Sequence, residues 1–199
     1  MWQFFPDIMP VSHSKNHRSL KGRLLLDAGG LAGSFFHKSV VLVCSHTTEG
    51  AFGLVLTRSI GSKIAGVLSE MLPERLDEEF VYAGGPVQPG ALSYLYSHPR
   101  LTKGTVLPRV SLGLELGGLI DLGLHPFPGM RLRIFAGYAG WSPGQLDEEI
   151  RRESWLIRKS TPDLIFYRQP ETLWSYLLKQ SPLWTERLLA ERPDDSSVN

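Results

Sequence analysis

The sequence predicts an α+β domain built on a mixed, largely antiparallel sheet, and three observations lead there. Short apolar, β-branched runs recur at 39–45, 51–57, 80–83 and 131–138, several of them joined by hairpin-sized links. Helical patterns occur in separate places, at 64–72, 143–153 and 170–178. These pieces follow one another without the strand–helix rhythm of a doubly wound parallel sheet.

Size and composition support one core. With 199 residues, 42% of them apolar and 10% aromatic, the chain predicts a single domain over 21–190, between an N-terminal tail (1–20) and a disordered C-terminal tail (191–199). Lys and Arg total 21 against 20 Asp and Glu, a net charge of +1, so the total charge points to no polyanionic partner. The single cysteine, Cys44, excludes an intramolecular disulfide and a cysteine-rich zinc site, and it fits a reducing compartment. The N-terminus has no signal-peptide pattern, and no apolar run approaches the roughly 20 residues that span a bilayer. A cytoplasmic protein with no membrane contact is expected.

In chain order, the first strand is expected at 23–27. Glycines at 29, 30 and 33 then precede the run at 39–45, which reads as a strand buried on both faces. The polar residues from His46 to Gly50 form a hairpin turn into the strand at 51–57. Ile64, Val67, Leu68, Met71 and Leu72 keep helical spacing, with Gly61 or Ser62 near the cap and Pro73 at the end. A strand at 80–83 runs into Gly84, Gly85 and Pro86, a sharp turn that needs unusual dihedrals or close backbone approach. Strands are expected at 91–97 and 104–107, whereas 112–124 keeps near-helical spacing weakened by Gly117 and Gly118. The strand at 131–138 leads through a glycine turn to Ser142 as helix N-cap, Pro143 at the first helical position and Gln145 closing a capping box. That helix buries Leu146 and Ile150 and offers the pairs Asp147–Arg151 and Glu148–Arg152. A strand at 155–158, a turn or single helical turn at 160–164, a helix from Pro170 and a short helix at 181–189 complete the chain.

Familiar catalytic patterns are missing. There is no phosphate-binding loop, the glycines at 29–33 lack the spacing of a dinucleotide fingerprint, and no Gly-x-Ser-x-Gly elbow occurs. None of the six histidines forms a two-ligand metal pattern, so neither metal nor cofactor is expected. His46, beside Glu49 in the hairpin turn, suits either an acid/base pair or a turn cap. Cys44 reads as a packed small hydrophobe. Glu148 and Glu149 point about 100° apart on a helix and do not share a site. Trp141 is either a core plug beneath the helix start or an exposed contact residue, and Gly84, Gly85 and Gly140 serve turns or line a shallow groove.

Four stretches, 39–46 (Ser-Val-Val-Leu-Val-Cys-Ser-His), 49–56 (Glu-Gly-Ala-Phe-Gly-Leu-Val-Leu), 84–87 (Gly-Gly-Pro-Val) and 137–150, occur in the order in which the chain resembles the bacterial AlgH/YqgE family, over roughly 20–180. Two places depart from the family pattern. Ala28-Gly29-Gly30 stands where Ala-x-Pro is usual, and Thr57-Arg58-Ser59 stands where Asn-Arg-Pro is usual. The resemblance implies a compact α/β fold with a small closed or bifurcated sheet surrounded by helices. It also implies a cytoplasmic bacterial protein, with a label of transcriptional regulator, attached to some members through exopolysaccharide expression, that names a phenotype and no mechanism.

Three functions are open at this point. The first is a non-enzymatic binding or regulatory protein, with a protein or small-molecule partner, working through a groove between Gly84, Gly85 and Pro86, the His46–Glu49 turn and Trp141. The second is an enzyme on a small polar or phosphorylated molecule, with His46 as acid/base, Glu49 orienting it and Arg58 holding an anion. Direct nucleic-acid binding is the third, and near-neutral charge and the lack of a helix-turn-helix signature weigh against it.

Overall fold

The computed structural model describes residues 18–68 and 72–180. Expectations for the N-terminal tail before residue 18, for Met71, for the helix at 181–189 and for the C-terminal tail fall outside those residues.

The fold is α+β. Strands β1 (Arg23–Asp27), β2 (Val40–Thr47) and β3 (Gly50–Val55) form an antiparallel meander, and β4 (Ser59–Lys63) follows it. After the single turn α1 (Ala65–Leu68) come β5 (Phe80–Ala83), β6 (Val87–Ser97), β7 (Val110–Gly113) and α2 (Leu116–Leu124). The chain then runs through β8 (Arg131–Trp141), α3 (Gln145–Arg151), β9 (Trp155–Lys159), α4 (Pro162–Ile165) and α5 (Leu173–Lys179). The sheet has nine strands in the order β4-β5-β8-β3-β2-β1-β9, with β6 joined to β8 and β7 added beyond it. Every pairing is antiparallel except β5 with β8. The sheet is open and forks at β8, ending at β4, at β9 and, on the branch, at β7.

The fork depends on backbone contact. Along β8, Ile134, Phe135 and Ala136 pair with β5, residues from Arg131 to Tyr138 pair with β6, and Ala139, Gly140 and Trp141 pair with β3. Gly84 stands where these ladders meet: its N–H donates to the Ala136 carbonyl at 2.8 Å, and its carbonyl accepts from the Val55 N–H at 2.8 Å. A Cβ on Gly84 would collide with the Gly137 carbonyl oxygen, and one on Gly85 would overlap the Tyr138 carbonyl. Close approach, rather than an unusual φ, is what the paired glycines supply.

Period-two alternation sorts the meander between two cores. Leu24, Leu26, Leu42 and Leu54 face Ile165, Leu173, Trp174, Leu177 and Leu178 from α4 and α5, while Leu25, Val41, Val43 and Val55 face Trp141, Leu146 and Trp155. This is the strand buried on both faces that its composition predicts. A third cluster joins Val81, Leu92, Tyr94 and Ile134 to Leu119 and Leu122 of α2. Tyr94 lies over Gly113 and Gly118, where any Cβ would strike its ring.

Three expectations change. Residues 59–63 form an exposed edge strand and not a helix start, because β5 offers a ladder (Ser59↔Tyr82, Lys63↔Phe80) and Gly61 takes a φ of 73° within it. No strand forms at 104–107, since Gly104 is packed against the Leu107 and Val110 carbonyls and Leu107 only bridges to Val110. The ambiguous stretch at 112–124 divides, strand to Gly113 and helix from Leu116.

Replacing Gly84 or Gly85 by alanine places a Cβ in backbone, and urea unfolding is expected to show a loss of about 3 kcal/mol or more, or an insoluble chain, against under about 0.5 kcal/mol for Gly117→Ala, where a Cβ meets open space. Burial, reinforced by Tyr96, Glu115 and Asp121, pushes the Tyr94 hydroxyl up to about 12. The unfolded phenol titrates near 10 and loses its proton first, so stability is expected to fall as pH rises from about 10 to about 12, with the slope reduced in Tyr94→Phe.

Candidate functional site

The segment after β8 is built differently from its capping signature. Gly144, at a φ of 73°, turns the chain so that α3 begins at Gln145 rather than Pro143. Half of the expected capping box is made, with Gln145 Oε1 accepting from the Ser142 N–H at 3.0 Å. Glu148 accepts from Arg152 Nε at 2.8 Å as expected and also pairs with Arg151. The Arg152 hydrogen bond, with Arg151 beside it, holds that carboxyl below its usual value. Asp147 does not follow the expected Arg151 pairing; its Oδ2 lies 3.7 Å from His46 Nε2.

Glu149 turns inward, which nothing in its neighbouring residues predicts. Its Oε2 accepts from both Trp141 Nε1 and Trp155 Nε1 at 2.8 Å, and Gln145 Nε2 donates to its Oε1 at 3.0 Å. Trp141 is 7% exposed and Trp155 4%, with ring centroids 6.3 Å apart and Phe36 stacked on Trp141. Gly53 leaves the space on β3 that the Trp141 ring fills. Of its two readings, Trp141 is therefore the core plug, with its polar edge satisfied by a carboxylate.

His46, Glu49 and Arg58 do not converge. His46 is buried, its Nδ1 accepts from the Leu20 N–H at 3.1 Å and its carbonyl accepts from Ser19 Oγ at 2.8 Å, so it anchors the chain entering β1. Glu49 is exposed on the turn, with its N–H on Thr47 Oγ1. Arg58 belongs to the other end of the β2–β3 ladder, where Val41 faces Val55, about 17 Å from the His46↔Ala51 pair at the usual strand rise. There its Nη2 donates to the His37 carbonyl at 2.8 Å and its guanidinium covers the Phe35 ring.

The two departures from the family pattern meet at that end. Buried Asp27 accepts from the N–H groups of Gly29 at 2.9 Å, Leu31 at 3.3 Å and Lys38 at 2.7 Å, folding the 28–38 loop so that His37 reaches Arg58. Arg133, equally silent in the sequence, is buried over the Tyr82 ring and donates to the Tyr167 carbonyl at 2.8 Å; burial lowers its pKa. Burial likewise pushes the Cys44 thiol up, well outside the range of a ready thiolate.

Gly84 and Gly85 are buried against β8, and so is the Trp141 side chain. What remains on the surface beside them is a bulge. Val87 pairs with Tyr138 and Leu92 with Ala136, so residues 88–91 stand opposite Gly137 alone. Gln88 takes a φ of 45°, and Gly137, at 71°, is pressed by the Gly85 and Val87 carbonyls. Pro86, Gln88, Pro89 and Gly140 are exposed there, and the β2–β3 turn adjoins them, since Gly50 packs on the Trp141 backbone.

Among the described residues no group of three or more His, Cys, Asp and Glu side chains is placed to hold a metal, and no helix is long and apolar enough to cross a membrane. The fold and this surface define a β-rich scaffold of a known kind: a model of AlgH-like proteins matches residues 24–184, and the chain belongs to that family. A UPF0301 protein of Methylococcus capsulatus is 35% identical over 184 residues, covering 87% of this chain and 98% of its relative. One from Streptomyces coelicolor is 34% identical, with 91% and 96% covered. The solution structure of the AlgH protein from Pseudomonas aeruginosa superimposes with a TM-score of 0.67 at 26% identity, covering 93% of this chain and 99% of that one.

Adjacent glutamates should separate cleanly. Glu149→Ala leaves two buried indole N–H groups unpaired and is expected to cost about 2–4 kcal/mol in urea unfolding and to shift both indole N–H resonances. Glu148→Ala, which removes only solvent-screened pairs with Arg151 and Arg152, is expected to leave the unfolding midpoint nearly unchanged.

Proposed function

We propose that the chain is a non-enzymatic binding protein of a regulatory kind, acting in the cytoplasm on a protein partner that docks on the bulge beside the end of β8. The bulge carries this reading: Pro86, Gln88 and Pro89 are exposed, and Gln88 is held at a φ of 45° that a side chain adopts only against a cost. Bulges re-aim strands next to working surfaces, and a rigid loop edged with proline gives up little entropy on docking. Separation of His46 from Arg58 weighs against the enzyme reading. A lone, deeply buried Cys44 accords with a reducing compartment.

Affinity capture from cytoplasmic extract tests the surface. Gln88→Asp with Pro89→Asp is expected to leave the melting temperature within about 2 °C, because both side chains are exposed, and to reduce the specifically captured protein by about tenfold or more. Identical capture by a correctly folded double variant removes this surface from consideration.

A further inference from the structure

At the other end of β8, where Arg131 begins the strand, the surface holds an open concavity of about 440 Å³. Leu107, Pro108 and Pro162 form its apolar wall, and Arg109, Arg131 and Asp163 supply its charges, a net of +1 from two arginines and one aspartate. The size lies within the range of about 300–1,000 Å³ that small-molecule sites occupy.

The turn that presents Arg109 goes against its own chemistry. Leu107 and Val110 exchange backbone hydrogen bonds, 2.9 Å from the Val110 N–H to the Leu107 carbonyl and 3.4 Å in return, so Pro108 and Arg109 are the two central residues of a tight turn. Proline leads such turns well, but the next residue has a φ of 69°, a conformation that glycine adopts freely and arginine does not. A sequence optimised for the turn alone would read Pro-Gly. Local rules are broken where a side chain is needed for something else.

The two arginines differ in their surroundings. Arg131 Nη1 donates to Asp163 Oδ1 at 2.8 Å and its guanidinium lies over the Phe166 ring at 5.1 Å, so it is braced in place. Arg109 is exposed and makes no ion pair among the described residues. It brings an uncommitted planar fork of N–H donors, suited to a carboxylate or phosphate, to the rim of an apolar wall.

We propose that this concavity binds a small organic oxyanion, a carboxylate or phosphate carried on a compact apolar body, with Arg109 as its principal partner and the braced Arg131 as its second. The apolar body lies along Leu107, Pro108 and Pro162, and Asp163 sets the selectivity by repelling anions that do not reach Arg109. This site is remote along β8 from the bulge surface, and neither depends on the other.

NMR titration of the full chain with benzoate, phenyl phosphate and inorganic phosphate tests the proposal. Saturable shifts are expected at the amides of 107–110 and 160–163 and at the Arg109 side chain with the two ring-bearing probes, while inorganic phosphate, lacking the apolar body, binds about tenfold more weakly or less. The tighter of benzoate and phenyl phosphate identifies the headgroup. Arg109→Gly is expected to melt no lower than wild type, because glycine suits the turn, and to weaken binding by about tenfold. Arg109→Gln keeps a side chain at the same φ, loses the charge and must weaken binding as well. The proposal is overturned if neither ring-bearing probe gives saturable shifts up to about 10 mM, or if both variants bind like wild type. Inorganic phosphate binding as tightly as phenyl phosphate overturns the apolar part of it, and an Arg109→Gly chain that melts well below wild type shows that arginine serves the turn itself.

Discussion

The structure hangs on backbone touching backbone at the fork in β8. A single strand cannot serve β5, β6 and β3 unless the chain leaving β5 comes closer to it than any side chain permits, and Gly84 and Gly85 provide that approach. From this follow the other features around it. Gly137 must take a positive φ, the first residues of β6 are pushed out as a bulge, and the meander β1–β2–β3 is set beside β8 so that both its faces are covered.

Glu149 shows how a polar contact can unite parts that hydrophobic burial leaves loosely specified. Burial alone places Trp141 and Trp155 beside the meander without fixing the direction of their rings. One carboxylate oxygen receiving both indole N–H groups fixes both, and so ties β8, α3 and β9 to one another. Three N–H donors take up its charge, so Glu149 sits on the inner side of α3 with no cationic partner among the described residues.

Much of the fold was legible because its signals are local. The β1 and β5 spans, the hairpin through His46 and Gly50, and the apolar side of α5 follow from alternation and spacing in a few neighbouring residues. The errors lie where a distant partner decides. Residues 59–63 become a strand only because β5 is beside them, and Gly144 overrides a well-formed cap at Ser142 by turning left-handed. The candidate site was legible in part: the glycine turn, the hairpin turn and the end of β8 do adjoin, but His46 and Trp141 are buried, and Arg58 belongs to the far end of the ladder. Buried Asp27 and Arg133 and half-buried Glu149 carried no sequence signal, since a charged residue turned inward looks like a surface one until its partners are known. Arg109 did carry one, an arginine following proline at a turn, and it is readable only once the φ of that residue is known.

The open ends of the sheet bear on how this molecule behaves in a crowded solution. An unpaired strand margin is a template on which other chains can extend a ladder, and of the three end strands of this forked sheet β7 is covered by residues 105–107, which leaves two. At one, β4 is five exposed residues kinked at Gly61 and carrying Lys63; at the other, β9 ends in Arg158 and Lys159. A copy laid against β4 therefore meets a bent rail whose Lys63 is already paired with Glu78, and one laid against β9 meets a short rail with two cations. The exposed residues along these borders lie outside the core, so changing them alters how copies meet without entering the packing that holds the fold.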